Sequence, residues 1–141
     1  MLITRLDGVE VKWSPLTNET KKKRSKLQEK AIEVIKSIVP STMILEEVAI
    51  PINQKKQLYL DIFLPKHRIS IEIQGAQHSH RNKFFQTKHQ YNTQLENDRL
   101  KQEFCSLNNI PLIYFNYDED IDVWANKLKI FLGITQPNGL N

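Results

Sequence analysis

Two carboxylates stand where a folded chain can least easily put them. Asp61 interrupts the apolar run Leu58-Tyr59-Leu60-Asp61-Ile62-Phe63-Leu64, and Glu72 interrupts Ile71-Glu72-Ile73. An ionised carboxylate in such a run is costly to bury unless it is paired, hydrogen-bonded or bound to a cation. The fold must therefore bring each of them a partner or carry both to water. Only eleven positions separate the two, and Pro65-Lys66-His67-Arg68 supplies a turn between the runs. A short hairpin then sets both side chains together, as the hard oxygen donors that Mg2+ or Mn2+ prefers. The alternative is that both alternate outward on a solvent-facing sheet surface, where they titrate normally and tolerate alanine.

The surrounding periodicity gives the rest of the architecture. Residues 1–18 carry Gly8, Pro15 and scattered apolar residues, and are read as an arm whose structure the pattern does not decide. From Glu19 to Ile38, Leu27, Ala31, Val34, Ile35 and Ile38 recur at helical spacing until Pro40 stops the run. Strands are expected over Met43–Ile50, Gln57–Leu64 and Ile69–Gly75; the last alternates Ile69, Ile71 and Ile73 with Ser70, Glu72 and Gln74, so one of its faces is polar. Residues 76–89 lack periodicity and read as a loop. A helix follows over Gln90–Leu107, with Leu95, Leu100, Phe104 and Leu107 as its inner face and Asn108-Asn109 as its stop. A buried strand over Ile110–Phe115 and a helix over Asp118–Leu132, with Ile121, Trp124, Leu128 and Phe131 inward, complete the domain. The order helix, three strands, helix, strand, helix implies an α/β fold, with helices packed on a mixed sheet. One domain over 19–133 with a tail at 134–141 suits a chain of 141 residues.

Composition narrows the class. No apolar run approaches the roughly 20 residues of a membrane helix, and the N-terminus lacks a signal-peptide pattern, so a cytoplasmic protein is expected. The single Cys105 has no disulfide partner and reads as a core residue. A formal charge of +4 leans toward a polyanionic partner, since Lys and Arg that neutralise phosphates release counterions. The basic residues gather at 21–30 and 66–89, on either side of the carboxylate pair, whereas Asp118, Glu119, Asp120 and Asp122 lie late. Solvated helix and loop lysines are the plainer account of any one of them.

Beyond the pair, the sequence continues Ile71-Glu72-Ile73-Gln74-Gly75-Ala76-Gln77-His78 and then Asn97-Asp98-Arg99-Leu100-Lys101, ahead of Asn109-Ile110-Pro111-Leu112-Ile113. Asp61, ten residues, then Glu72-Ile73-Gln74 resembles the PD-(D/E)XK nuclease motif in its variant with Gln for the final Lys. The longer pattern, over about Glu29 to Tyr117, resembles the branch holding very-short-patch repair endonucleases and related phage homing endonucleases.

That resemblance implies a restriction-endonuclease-like core and a Mg2+- or Mn2+-dependent DNA endonuclease, with homodimerisation left open. It implies Asp61 as a direct metal ligand, with Glu72 or the Ile73 carbonyl completing the shell. His78, or less favourably His80, exchanges a proton beside the metal, and Asp98 holds or orients His78. Glu29 matches a metal-site glutamate on the first helix, with Glu33 and Gln28 as alternatives. Gln74 replaces the motif lysine and carries no charge; Lys101, one turn after Asp98, is the candidate to supply it, against the plainer role of a surface lysine. Gly75 allows close backbone approach to a phosphate, and Gln77, His80, Arg81, Lys83, Lys66 and Arg68 are the expected DNA contacts. Phe84, Phe85 and Tyr91 are candidates to stack on bases, with core packing as the safer role. Two rival readings remain: a catalytically inactive nucleic-acid-binding module that keeps the fold, and a structural protein with a merely exposed polar strand face.

Overall fold

The computed structural model describes residues 1–18, 24–75 and 87–134. The elements are β1 (Leu2–Thr4), β2 (Glu10–Lys12), α1 (Lys26–Ile38), β3 (Leu45–Pro51), β4 (Gln57–Leu64), β5 (Ile69–Gln74), α2 (Lys88–Leu107), β6 (Leu112–Asn116) and α3 (Ile121–Leu132). Strands β3 to β6 form one sheet in sequence order, antiparallel through β5 and parallel between β5 and β6. The chain is thus a mixed α/β fold, and among the described residues no helix is long and apolar enough to cross a membrane.

Two cores hold the sheet. Ile62, Leu64, Ile69, Ile71, Ile113 and Phe115 pack with Ala31, Val34 and Ile35 of α1 and Trp124 and Leu128 of α3. Phe63 belongs to the other core, with Phe104 and Cys105 of α2, Trp13 and Ile3. The alternation of strand side chains makes this division: Ile62 pairs with Ile71 on one face, and Phe63 with Ser70 on the other.

Residues 1–18, undecided by pattern, form an antiparallel ribbon built into the second core, with Ile3 2% and Trp13 6% exposed. Its anchor is Asn108, whose side-chain amide donates to the Thr4 carbonyl (2.9 Å) and accepts from the Thr4 N–H (2.7 Å). Asn108 is therefore a buried tie as well as a helix stop, and the left-handed turn falls on Asn109 (φ 55°). The segment after the ribbon closes the β3 edge: Glu46 N–H donates to Thr17 Oγ1 (3.1 Å) and Trp13 Nε1 to the Ala49 carbonyl (3.0 Å). Such capping removes a free strand edge.

Several boundaries move for identifiable reasons. Helix α1 starts at Lys26, not Glu19, because extended Ser25 caps it with its hydroxyl on Gln28 N–H (3.1 Å). Helix α2 starts two residues before Gln90, at Lys88. Thr87 and Gln90 make a reciprocal capping box of 3.0 and 2.9 Å, a Thr-x-x-Gln signal legible in the sequence. β6 begins at Leu112 and α3 at Ile121, later than periodicity suggested, while Ile110 is buried ahead of its strand. The inner faces are narrower than predicted. Leu95, Leu107, Ile121 and Phe131 are all exposed, and only Phe104 and Cys105 of α2 are buried, because α2 touches the sheet chiefly near its C-terminal end.

Candidate active site

The β4–β5 ladder runs Leu64–Ile69, Phe63–Ser70 and Ile62–Ile71 and then stops; the next positions in that register are Asp61 and Glu72. Side chains take over where the backbone pairing ends. Asp61 N–H donates to Glu72 Oε2 (2.7 Å), and Ile73 N–H donates to Asp61 Oδ2 (2.8 Å). Each carboxylate thus accepts a backbone N–H of the neighbouring strand that the ladder no longer pairs, which offsets much of the cost of its apolar setting. The alternative of an outward, solvent-facing pair does not hold for Glu72: Ser70 is fully buried and Glu72 only 6% exposed, because α2 covers that face.

Helix α2 brings the balancing charge. Lys101 Nζ lies 2.7 Å from Glu72 Oε1, with side-chain exposures of 16% and 7%. Burial raises the Glu72 carboxyl above its ordinary value of 4.5, and the lysine and the Asp61 N–H only partly pull it back. Burial disfavours the charge on Lys101, but Glu72, Asp61 and Asp98 together outweigh it and hold the ammonium protonated above its ordinary range. The Cys105 thiol is pushed up to about 12, first by burial and then by the Glu72 charge, so it is an inert core residue as predicted.

Above this pair opens a cleft of about 390 Å³ walled by Glu47, Tyr59, Asp61, Asn97, Asp98 and Lys101, with Gln90, Thr93 and Gln94 toward the start of α2. Asp98 stands one turn before Lys101, so both project from one side of the helix. Glu72 is not in the wall; Lys101 both lines the cleft and touches it. Glu47 escaped the sequence reading. It sits across from Asp61, between the pairs Glu46–Ile62 and Val48–Leu60, with a left-handed φ of 51° that L residues rarely adopt. The legible signal was a carboxylate inside the apolar strand 43–50, the same anomaly that singled out Asp61.

Other expected site residues lie elsewhere. Glu29 and Glu33 are exposed on α1, away from the cleft wall, and Gln28 is buried and donates to Glu46 Oε1 (3.1 Å). Gln74 ends β5, its carbonyl accepting from Tyr117 N–H (2.8 Å), with half-buried Gly75 next. Lys66 is exposed in the β4–β5 turn, while Arg68 is fastened to α2 through the Asn108 carbonyl (2.8 Å). Tyr91 is half-buried in α2. Gln77, His78, His80, Arg81, Lys83, Phe84 and Phe85 lie outside the described residues, as do Lys21, Lys22 and Lys23. Among the described residues no three Asp, Glu, His or Cys side chains converge as a ready ion site; the oxygen donors are of the right kind, but one Glu72 oxygen is held by Lys101.

Comparison with known proteins adds one partial relative. Over 80 residues, 55% of this chain, it is 35% identical to the uncharacterized protein 307L of Invertebrate iridescent virus 6; the match takes in 41% of that protein, so the chain spans less than half its length. No family model matches the chain. No solved structure matches it significantly.

Proposed function

We propose that this chain is a metal-dependent DNA endonuclease with a restriction-endonuclease-like core. The observation that carries the reading is Lys101: from a different element, it puts an ammonium 2.7 Å from Glu72 and into the cleft of Asp61 and Asp98, where the sequence motif itself offers only Gln74. A cation, two strand carboxylates and a helix carboxylate around one cleft form a set suited to a phosphodiester.

In this reading Asp61, with Glu72 or the Ile73 carbonyl, would hold Mg2+ or Mn2+, whose contribution is an acidified water and neutralised charge on the leaving oxygen, and Asp98 would orient His78. Lys101 offsets negative charge gathering on the phosphoryl oxygens. The backbone clamps between Asp61, Glu72 and Ile73 keep both carboxylates in fixed rotamers, so little reorganisation accompanies reaction. His78 would exchange the proton, and Gly75, Gln77, His80, Arg81, Lys83 and Lys66 are the DNA contacts the resemblance implies, while Arg68 keeps its structural tie.

Supercoiled, linear, single-stranded and branched DNA, each incubated with Mg2+, Mn2+ or EDTA, test this. The expected outcome is metal-dependent cleavage of at least one substrate, lowered at least a thousandfold by Asp61→Ala with folding intact. Equal cleavage by the variant, or none on any substrate, defeats it. One observation favours a second reading, an inactive nucleic-acid-binding module: both Glu72 oxygens already have partners within the protein. In that case DNA binds without metal and Asp61→Ala changes nothing.

A further inference from the structure

Resting on the endonuclease reading, we propose that Lys101 gates the cation site, so that DNA and metal bind cooperatively. In the DNA-free protein its ammonium occupies the Glu72 oxygen that a cation needs, and a DNA phosphate in the cleft draws it away.

The geometry that carries this is the order of the three groups. Glu72 has one oxygen on Asp61 N–H and the other on Lys101 Nζ, each at 2.7 Å. It is buried and absent from the cleft wall; of the wall residues, Asp61 touches it through a backbone N–H and Lys101 through its side-chain ammonium. A divalent cation reaching Glu72 Oε1 would have to share that oxygen with a positive charge already at hydrogen-bond distance, and two cations on one carboxylate oxygen repel strongly. Loss of the lysine contact is therefore part of metal entry.

Lys101 is also the group most able to move. Its ammonium ends a flexible four-carbon stem with three rotatable donors, unlike a guanidinium locked into a fork. It lines an open cleft, and the charged groups facing it are Glu72 from β5, Asp61 from β4, Glu47 from β3 and Asp98 from its own helix. All are anions, so among the described residues lining the cleft no other cation opposes an ammonium leaving Glu72. A phosphate arriving in this cleft adds a competing anion and gives the lysine a second partner. Glu72 is then released to the cation just as the scissile group arrives. By linkage, whatever factor DNA adds to metal affinity the metal adds to DNA affinity.

The test measures Mn2+ affinity by electron paramagnetic resonance of free Mn2+ at pH 8, with and without a 20-base-pair duplex whose own Mn2+ binding is subtracted. Wild-type protein is expected to bind Mn2+ at least tenfold tighter with duplex. Lys101→Met is expected to bind Mn2+ at least tenfold tighter than wild type without duplex, and to lose most of the duplex effect. Unchanged affinity in Lys101→Met together with an unchanged duplex effect overturns the gate while leaving the endonuclease reading standing. Failure of both proteins to bind Mn2+ overturns both. A second measurement needs no variant: the nitrogen-15 resonance of the Lys101 ammonium should lose its ion-paired shift when metal-free wild-type protein is titrated with duplex, and a static signal at saturation overturns the gate.

Discussion

The two faces of the sheet are built from the same four strands by different physics. Beneath α1 and α3 the strands offer Ile62, Leu64, Ile69, Ile71, Ile113 and Phe115, and the packing ends in a stacked Phe115–Trp124 pair with centroids 4.8 Å apart. Beneath α2 they offer Asp61, Phe63, Ser70 and Glu72, and α2 answers with Phe104 and Cys105 at one end and with Lys101 and Asp98 further up. Helix α1 buries five residues of 13, whereas α2 buries only two of 20. The first face rests on burial, which has no direction; the second depends on directional, charged contacts that fail singly. A fold that secures its strands on one face is free to keep the other polar enough for chemistry.

Five substitutions sharpen that contrast. Lys101→Met should cost about 3–5 kcal/mol at pH 8, because it strands a buried carboxylate, and chemical denaturation reads the loss. The loss should shrink toward pH 5. Burial raises Glu72 above 4.5 in the folded chain, so its contribution is intact below that value and lost as pH rises through the folded value; removing Lys101 lifts the folded value further. Adding Glu72→Gln to Lys101→Met should recover most of the stability, since the amide oxygen still accepts from Asp61 N–H.

On the apolar face, Ile71→Ala, at a fully buried site, should cost about 2–5 kcal/mol with little pH dependence between 5 and 8, because no charge is uncovered. Equal pH profiles for these two variants would erase the distinction between the faces. Ser25→Ala should cost about 1 kcal/mol through the lost α1 cap. Smallest of all, Arg99→Ala, on the outer side of α2 with Glu96 and Glu103, should leave the thermal midpoint unchanged within error, as exposed pairs contribute little.

Much of the scaffold was legible. β4 occupies the residues its apolar run predicted, and Pro40 and Asn108-Asn109 lie at real helix ends. Local signals fix such features: strand alternation, helical spacing and stop residues act over a few positions. The inner face of α2 was misjudged because helical spacing says which residues share a side but not how closely a helix approaches its sheet. Leu95 and Leu107 fit the period and are exposed all the same. Glu29 and Glu47 make the same point within the site. Both are carboxylates in ordered elements, but only strand register brings Glu47 opposite Asp61, while Glu29 is left exposed on α1.

The sequence by itself determined that Asp61 and Glu72 needed partners, since no apolar strand carries an ionised carboxylate uncompensated. It also determined their proximity, because a four-residue turn leaves antiparallel strands little choice of register. Only the tertiary structure decided who the partners are: the neighbouring strand's N–H groups where the ladder ends, and Lys101 from a helix 29 positions further along the chain. The physical reason is that electrostatic pairing acts through space over a few ångströms, and such distances across the chain exist only once the sheet and α2 have packed.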